Sequence, residues 1–142
     1  MNRVQLQKIA TMKLGDAKAL LGRKRWSRAY YLCGYSMECG LKACLLRYLG
    51  DSGAVFGERD YLKKLANCWT HDLAKLLDMG GLKAELDLKC NTNTAFATYW
   101  SITERWKETT RYDVMDETSA REIYEAVSHN PDGMFRWIQS RW

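Results

Sequence analysis

Residues 28–47 read RAYYLCGYSMECGLKACLLR, and this stretch decides the fold. Between its terminal arginines only Glu38 and Lys42 carry a charge. A surface helix keeps a wide polar face, whereas this stretch is apolar or small nearly all round. It therefore predicts a central helix enclosed by other helices. We expect no membrane span, because two ionised groups near the middle would each cost roughly 3 kcal/mol on insertion.

Glu38 and Lys42 are spaced i,i+4 with the acid first, which is the favoured orientation for an intrahelical ion pair. Tyr31 and Tyr35 lie along the same face, nearer the start of the helix. We expect both charges to be mostly buried and within hydrogen-bonding reach of each other or of His71, Tyr31 or Tyr35. The pair is either a structural ion pair or part of a binding or catalytic site, and the sequence leaves both interpretations open.

The composition is that of one ordinary domain, because 142 residues with 46% hydrophobic content can build a single core. We therefore predict one domain over residues 1–142. The five cysteines show no C-x-x-C spacing, which favours free thiols and a cytoplasmic protein. The N-terminus has no uninterrupted apolar segment of the kind that directs secretion. Two histidines and dispersed cysteines predict no metal site, and no glycine-rich phosphate loop or other cofactor motif is present.

Positive charge is concentrated at the start of the chain. Residues 1–28 hold eight Lys or Arg residues against Asp16 alone, although the net charge of the whole chain is only +5. Such asymmetry favours a polyanionic partner. A nucleotide or RNA site is predicted at the turn after the first helix, with Trp26 as a ring on which a base could stack. Its predicted residues are Arg23, Lys24, Arg25, Trp26 and Arg28, with Arg111 as an outlying candidate. The alternative is that Trp26 packs into the bundle and the cations only keep the surface soluble.

The remaining patterns predict helices throughout the chain. Helices are expected at residues 3–22, 61–66, 70–79, 82–88, 94–106, 119–128 and 134–140. Thr70 and Ser119 are the predicted N-caps of two of them. The residues around 50–59, 91–93 and 109–116 are expected to be loops, and no stretch alternates as a strand would. The predicted fold is all-α, an up-and-down bundle of four to five helices.

Taken in order, several motifs resemble those of the HEPN domain, a family of small helical proteins. They are Ala29-Tyr30-Tyr31-Leu32, Gly34-Tyr35, Glu38-x-x-x-Lys42-Ala43, Thr70-His71-Asp72-Leu73, Arg111-Tyr112 and the closing aromatic helix. The resemblance implies a bundle of four or five helices that is frequently a homodimer. It also implies a toxin–antitoxin or phage-defence setting, often beside a minimal nucleotidyltransferase partner.

One departure from the family concerns its ribonuclease motif, Arg-x(4–6)-His. His71 follows Arg59 by twelve residues and His129 follows Arg121 by eight, so neither pair fits the spacing. On one helix, eight residues correspond to a rise of about 12 Å and a rotation of about 80°, which would separate Arg121 from His129. The nuclease chemistry of the family is therefore not transferred to this chain. The missing motif favours a non-enzymatic function, and the sequence leaves an enzymatic one open.

Three functions remain as hypotheses. The first is a non-catalytic HEPN-like protein that binds a nucleotide, RNA or a nucleotidyltransferase partner. The second is an atypical metal-independent endoribonuclease, because an imidazole such as that of His71 can act as general acid or base near neutral pH. Its candidate residues are His71, Glu38, Lys42, Arg111, Tyr112 and Asp113. The third is a structural dimerisation or antitoxin-type module.

Overall fold

The computed structural model describes residues 1–51 and 66–142. This part of the chain contains no strand, and its helices pack as a bundle, which confirms the predicted all-α fold. It holds seven α-helices and one 3-10 helix, because caps and glycines divide the C-terminal half into short pieces. The elements are α1 (Arg3–Gly22), α2 (Trp26–Asp51), α3 (Leu73–Met79), α4 (Lys83–Thr92), α5 (Thr94–Glu104), the 3-10 helix (Glu108–Tyr112), α6 (Glu117–Ser128) and α7 (Met134–Gln139).

Helices α1 and α2 form a hairpin. The α1 N-terminus is closed by a capping box, in which Asn2 accepts from the backbone of Gln5 and the Gln5 side chain accepts from the backbone of Asn2. The turn at residues 23–25 places Lys24 in the left-handed region, with φ of 57°. Farther from the turn, the buried Ser36 hydroxyl donates a 2.7 Å hydrogen bond to the Ala10 carbonyl. This bond fixes the register of the two helices along their length.

Helix α2 is the centre of the bundle, as predicted. It packs against α1, α3, the 3-10 helix, α6 and α7. Its small residues allow close approach: a Cβ added at Gly34 would overlap the indole ring of Trp106, and one at Gly40 would overlap Ile138. The fully buried side chains of the core include Met37 of α2 itself, Trp106 and Phe96. The central helix therefore combines a large apolar core with close packing at its glycines, above all at Gly34, where a side chain would displace the Trp106 ring.

Two predicted N-caps are wrong by a few residues. Asp72, and not Thr70, caps α3 by accepting from the Lys75 backbone N–H at 3.0 Å. Asp116, and not Ser119, caps α6 by accepting from the Ser119 backbone N–H at 2.7 Å. This hydrogen bond lowers the pKa of Asp116. Where several capping residues lie close together, an aspartate is favoured as the N-cap, because the positive end of the helix dipole also stabilises its negative charge.

Three further predictions differ from the structure or lie outside it. Helix α4 continues to Thr92, although residues 91–93 were expected to be a loop, because Asn93 caps the following helix directly. The expected loop at residues 109–116 begins inside the 3-10 helix. The loop expected at residues 50–59 lies outside the described residues except at 50 and 51. The helix expected at residues 61–66 lies outside them except at 66. No helix in the described part combines the length and hydropathy that a membrane crossing requires.

Candidate functional site

The candidate site lies along one stripe of α2. Arg28, Tyr31, Tyr35, Glu38 and Lys42 follow one another at helical spacing on this face. The 3-10 helix packs against α2, and the residues before α3 bring His71 to the middle of the stripe. Three separate parts of the chain therefore meet at this face of the central helix.

Glu38 is the buried end of a chain of charged groups. It is 2% exposed, and its Oε1 atom lies 2.7 Å from Lys42 Nζ and 2.9 Å from His71 Nδ1. These contacts confirm the predicted proximity of Glu38 to Lys42 and His71. Its other oxygen, Oε2, is buried and has no hydrogen-bond partner among the described residues. An unpaired buried polar atom is costly, and Trp106 Nε1, on a residue that lines the first cleft, is buried without a partner in the described chain as well.

His71 connects the buried Glu38 to a second carboxylate. Its side chain is 44% exposed, and its Nε2 atom lies 3.1 Å from Glu108 Oε2. A neutral imidazole has one N–H, so it can donate to only one of the two carboxylates, whereas a protonated imidazole donates to both. In the neutral form that donates from Nδ1 to Glu38, the Nε2 lone pair would face Glu108. The position of Glu108 therefore decides whether Nε2 can contact another group.

Arg111 ends the chain at the protein surface. Its Nη2 atom lies 2.9 Å from Glu108 Oε1, and its guanidinium group packs over the Tyr112 ring at 4.9 Å. Glu108 thus holds His71 with one oxygen and Arg111 with the other. Glu108 is not among the residues that the sequence predicted for this site. Its spacing of three residues before Arg111 was a visible signal for the ion pair, but nothing in the sequence indicated its contact with His71.

Aromatic side chains form the wall beside these charges. The rings of Tyr31 and Tyr35 stack at 6.0 Å with an interplanar angle of 12°, and Tyr31 lies 5.8 Å from Trp106. Burial raises the pKa of Tyr31 and of Tyr35, so both hydroxyl groups stay protonated at neutral pH. They can therefore donate hydrogen bonds to an acceptor in the adjacent space.

Two clefts open on either side of the Glu108–Arg111 pair. The first, of about 220 Å³, is lined by His71, Asp72, Glu104, Trp106, Lys107 and Glu108. The second, of about 210 Å³, is lined by Leu20, Ser27, Arg28, Tyr31, Leu32 and Arg111. Both are smaller than the roughly 300 Å³ at which sites for drug-sized ligands begin. Each has room for a group the size of a single phosphate or base.

The predicted basic cluster lies beside the second cleft. Arg23, Lys24, Arg25 and Arg28 are exposed around the α1–α2 turn, and Arg28 lines the cleft together with Arg111. Trp26 is half-buried in a small cluster with Leu21, Ala29 and Ala120, and the Arg121 guanidinium lies 5.2 Å from its ring. This packing favours the alternative in which Trp26 belongs to the bundle, and base stacking on it stays a prediction.

The other candidate residues lie at the edges of this arrangement. Tyr112 is highly exposed and contributes its ring to the Arg111 contact, and Asp113 is exposed just after the 3-10 helix. His129 packs elsewhere, with its ring 5.1 Å from that of Tyr99 at the end of α6. Within residues 1–51 and 66–142, no group of three or more His, Cys, Asp or Glu side chains is arranged to hold a metal ion. The structure thus brings together Glu38, Lys42, His71 and Arg111.

Comparison with protein-family models, curated proteins and solved structures finds no match to this chain.

Proposed function

We propose that this chain is a HEPN-like RNA-binding protein of a toxin–antitoxin or phage-defence system. RNA would lie across the α1–α2 turn and enter the cleft between Arg28 and Arg111. The observation that carries this proposal is that two exposed arginines from distant parts of the sequence line one cleft with Tyr31. Family resemblance supports the cellular setting.

The cleft combines the two kinds of contact that single-stranded nucleic acid requires. Arginine side chains bind phosphate oxygens through paired N–H groups, and this contact fixes the backbone without reading its sequence. Aromatic and apolar surface receives a base, with stacking worth about 1–3 kcal/mol per base. Arg28 and Arg111 supply the first, and Tyr31 with Leu20 and Leu32 supplies the second. The cations at residues 23–25 extend the positive surface beyond the cleft.

A homodimer and a nucleotidyltransferase-type partner belong to the same proposal and rest on the resemblance to HEPN proteins, as does a cytoplasmic location. Sedimentation over a range of concentrations tests the dimer. A mass of 16.5 kDa at every concentration would remove the dimer from the proposal.

Binding of a short single-stranded RNA at several salt concentrations tests the proposal. The double variant Arg28→Ala/Arg111→Ala should bind less tightly, and its salt dependence should flatten by about one unit or slightly more, since each lost phosphate contact removes about 0.7. The control is Lys83→Ala/Arg136→Ala, which removes the same charge from exposed residues that line neither cleft. Equal weakening by both double variants would attribute binding to net charge and reject this site.

A second candidate function, metal-independent RNA cleavage, is favoured by the contact between Glu38 and His71. A buried carboxylate that accepts from Nδ1 holds the imidazole in the tautomer whose Nε2 can take a proton. In this reaction the 2′-hydroxyl oxygen attacks the adjacent phosphorus and the bond to the 5′ oxygen breaks. His71 accepts the 2′-hydroxyl proton and returns it to the leaving 5′ oxygen, so the products are a 2′,3′-cyclic phosphate and a 5′-hydroxyl.

Incubation of RNA with the protein and a metal chelator tests this second function. Cleavage with cyclic phosphate ends, lost in His71→Ala and kept in His129→Ala, would support it. If the RNA stays intact under conditions where the protein binds it, cleavage is excluded and RNA binding remains as the function.

A further inference from the structure

The carboxylate of Glu108 is held as a bound anion would be held. His71 Nε2 lies 3.1 Å from one oxygen and Arg111 Nη2 lies 2.9 Å from the other. An imidazole N–H and a guanidinium group are also a common pair of donors for a phosphate. The two donors come from the segment before α3 and from the 3-10 helix, so the fold itself places them around one anion.

Glu108 is also placed so that it can leave. Its side chain is 31% exposed, and it belongs to a five-residue 3-10 helix at the surface. Ion pairs of this exposure are weak, because water solvates both charges almost as well as they solvate each other. A phosphate group offers more acceptor oxygens to the same two donors, so it competes well with the carboxylate.

Charges of both signs surround the two donors. Lys42 compensates Glu38 at the buried end, so the main negative charge facing His71 Nε2 and Arg111 is that of Glu108. The remaining charged residues of the first cleft, Asp72, Glu104 and Lys107, line its walls. Glu108 is the acceptor that both donors share, so its departure would leave His71 Nε2 and the Arg111 guanidinium group without this acceptor.

We propose that Glu108 is an intramolecular latch on a phosphate site formed by His71 Nε2 and the Arg111 guanidinium group. A phosphate of the ligand replaces the Glu108 carboxylate as the acceptor for His71 Nε2 and for the Arg111 guanidinium group. Closed, the latch keeps the site occupied by the protein's own carboxylate. That the phosphate belongs to RNA rests on the proposed function, whereas the latch itself does not.

Titration with inorganic phosphate, followed by the imidazole resonances of His71, tests the latch without RNA. Glu108→Gln should bind phosphate at least about 3-fold more tightly than the parent. Glu104→Gln is the matched control, because it removes the same charge from the same cleft and no contact of Glu104 with His71 or Arg111 is seen in the described chain. The control should change affinity less than 2-fold. Glu108→Ala, which removes the carboxylate without adding an amide, should give the same ordering.

The outcomes separate the latch from the proposed function. If Glu108→Gln and Glu104→Gln tighten phosphate binding equally, the effect is general electrostatics and the latch is rejected. If Glu108→Gln leaves affinity unchanged, or still tightens binding when Arg111→Ala is also present, the latch is rejected as well. RNA binding that is unchanged in Arg28→Ala/Arg111→Ala would reject the proposed function. The phosphate titration would still test the latch independently.

Discussion

Two ion pairs of nearly the same length lie at opposite ends of one chain of charges. Glu38 pairs with Lys42 at 2.7 Å, and Glu108 pairs with Arg111 at 2.9 Å. Their surroundings differ. Glu38 is buried in the central helix, whereas both members of the Glu108–Arg111 pair are substantially exposed. Because the energetic consequence of breaking a pair depends on the water available to the charge left behind, the first pair should control stability and the second should control binding.

The largest expected effect is at the buried pair. Glu38→Ala and Lys42→Ala should each lower the free energy of unfolding by about 3–5 kcal/mol, because the first leaves Lys42 without its acceptor and the second leaves the buried Glu38 with only the His71 contact. The double variant should lose less than the sum of the two, since neither charge then remains. Urea unfolding of the three variants measures this. Additive losses would show that the two residues act independently.

Alkaline pH should reveal the buried half in a second way. Burial raises the pKa of Cys33 and of Cys44 to about 12 and that of Cys39 to about 11. Because the folded-state values lie above those of the unfolded chain, the thiols stabilise the fold fully below about pH 9. This contribution is lost as the pH rises toward 12, at up to about 1.4 kcal/mol per thiol and pH unit.

Urea unfolding at pH 8 and pH 10.5 tests this dependence. Cys33→Ala should narrow the difference in the free energy of unfolding between the two pH values, because it removes one of the thiols whose pKa is raised. An identical pH dependence in the parent and Cys33→Ala would contradict the account.

A third prediction concerns the packing that joins the site to the core. Gly34→Ala should cost about 1–3 kcal/mol, because the added methyl group overlaps the Trp106 ring that lines the first cleft. Gly15→Ala is the control within a helix, since nothing lies near its Cβ position, and it should stabilise the protein slightly. Thermal unfolding measures both. Equal stability of the two variants would mean that Trp106 moves aside without cost.

The smallest effect on stability is expected at the exposed end. The triple variant Arg23→Ala/Lys24→Ala/Arg25→Ala should unfold within about 1 kcal/mol of the parent, as exposed charges contribute little. Its RNA affinity should nevertheless fall. The slope of affinity against salt should flatten by about two units, because each lost contact with a single strand removes about 0.7, and by at most about three. Unchanged affinity and slope would exclude this turn from the RNA-binding surface.

The same contrast explains how far the sequence could predict the site. The Glu38–Lys42 pair lies within one helix, where the spacing of residues determines which side chains meet. The role of Glu108 was missed because its contact with His71 joins the 3-10 helix to the segment before α3. That contact depends on how both pack against α2, and no local pattern encodes such packing. The N-caps Asp72 and Asp116 were predicted a few residues away for a local reason, since several residues able to cap a helix lie near each start.

The most direct test of the central claim is to map where RNA binds. Addition of a short single-stranded RNA to isotope-labelled protein should produce the largest saturable NMR shift changes at Arg28, Tyr31, His71 and Arg111, with small changes on α4. Shift changes that centre on α4 and α5, or none that saturate, would contradict the assignment of this stripe of α2 as an RNA-binding surface.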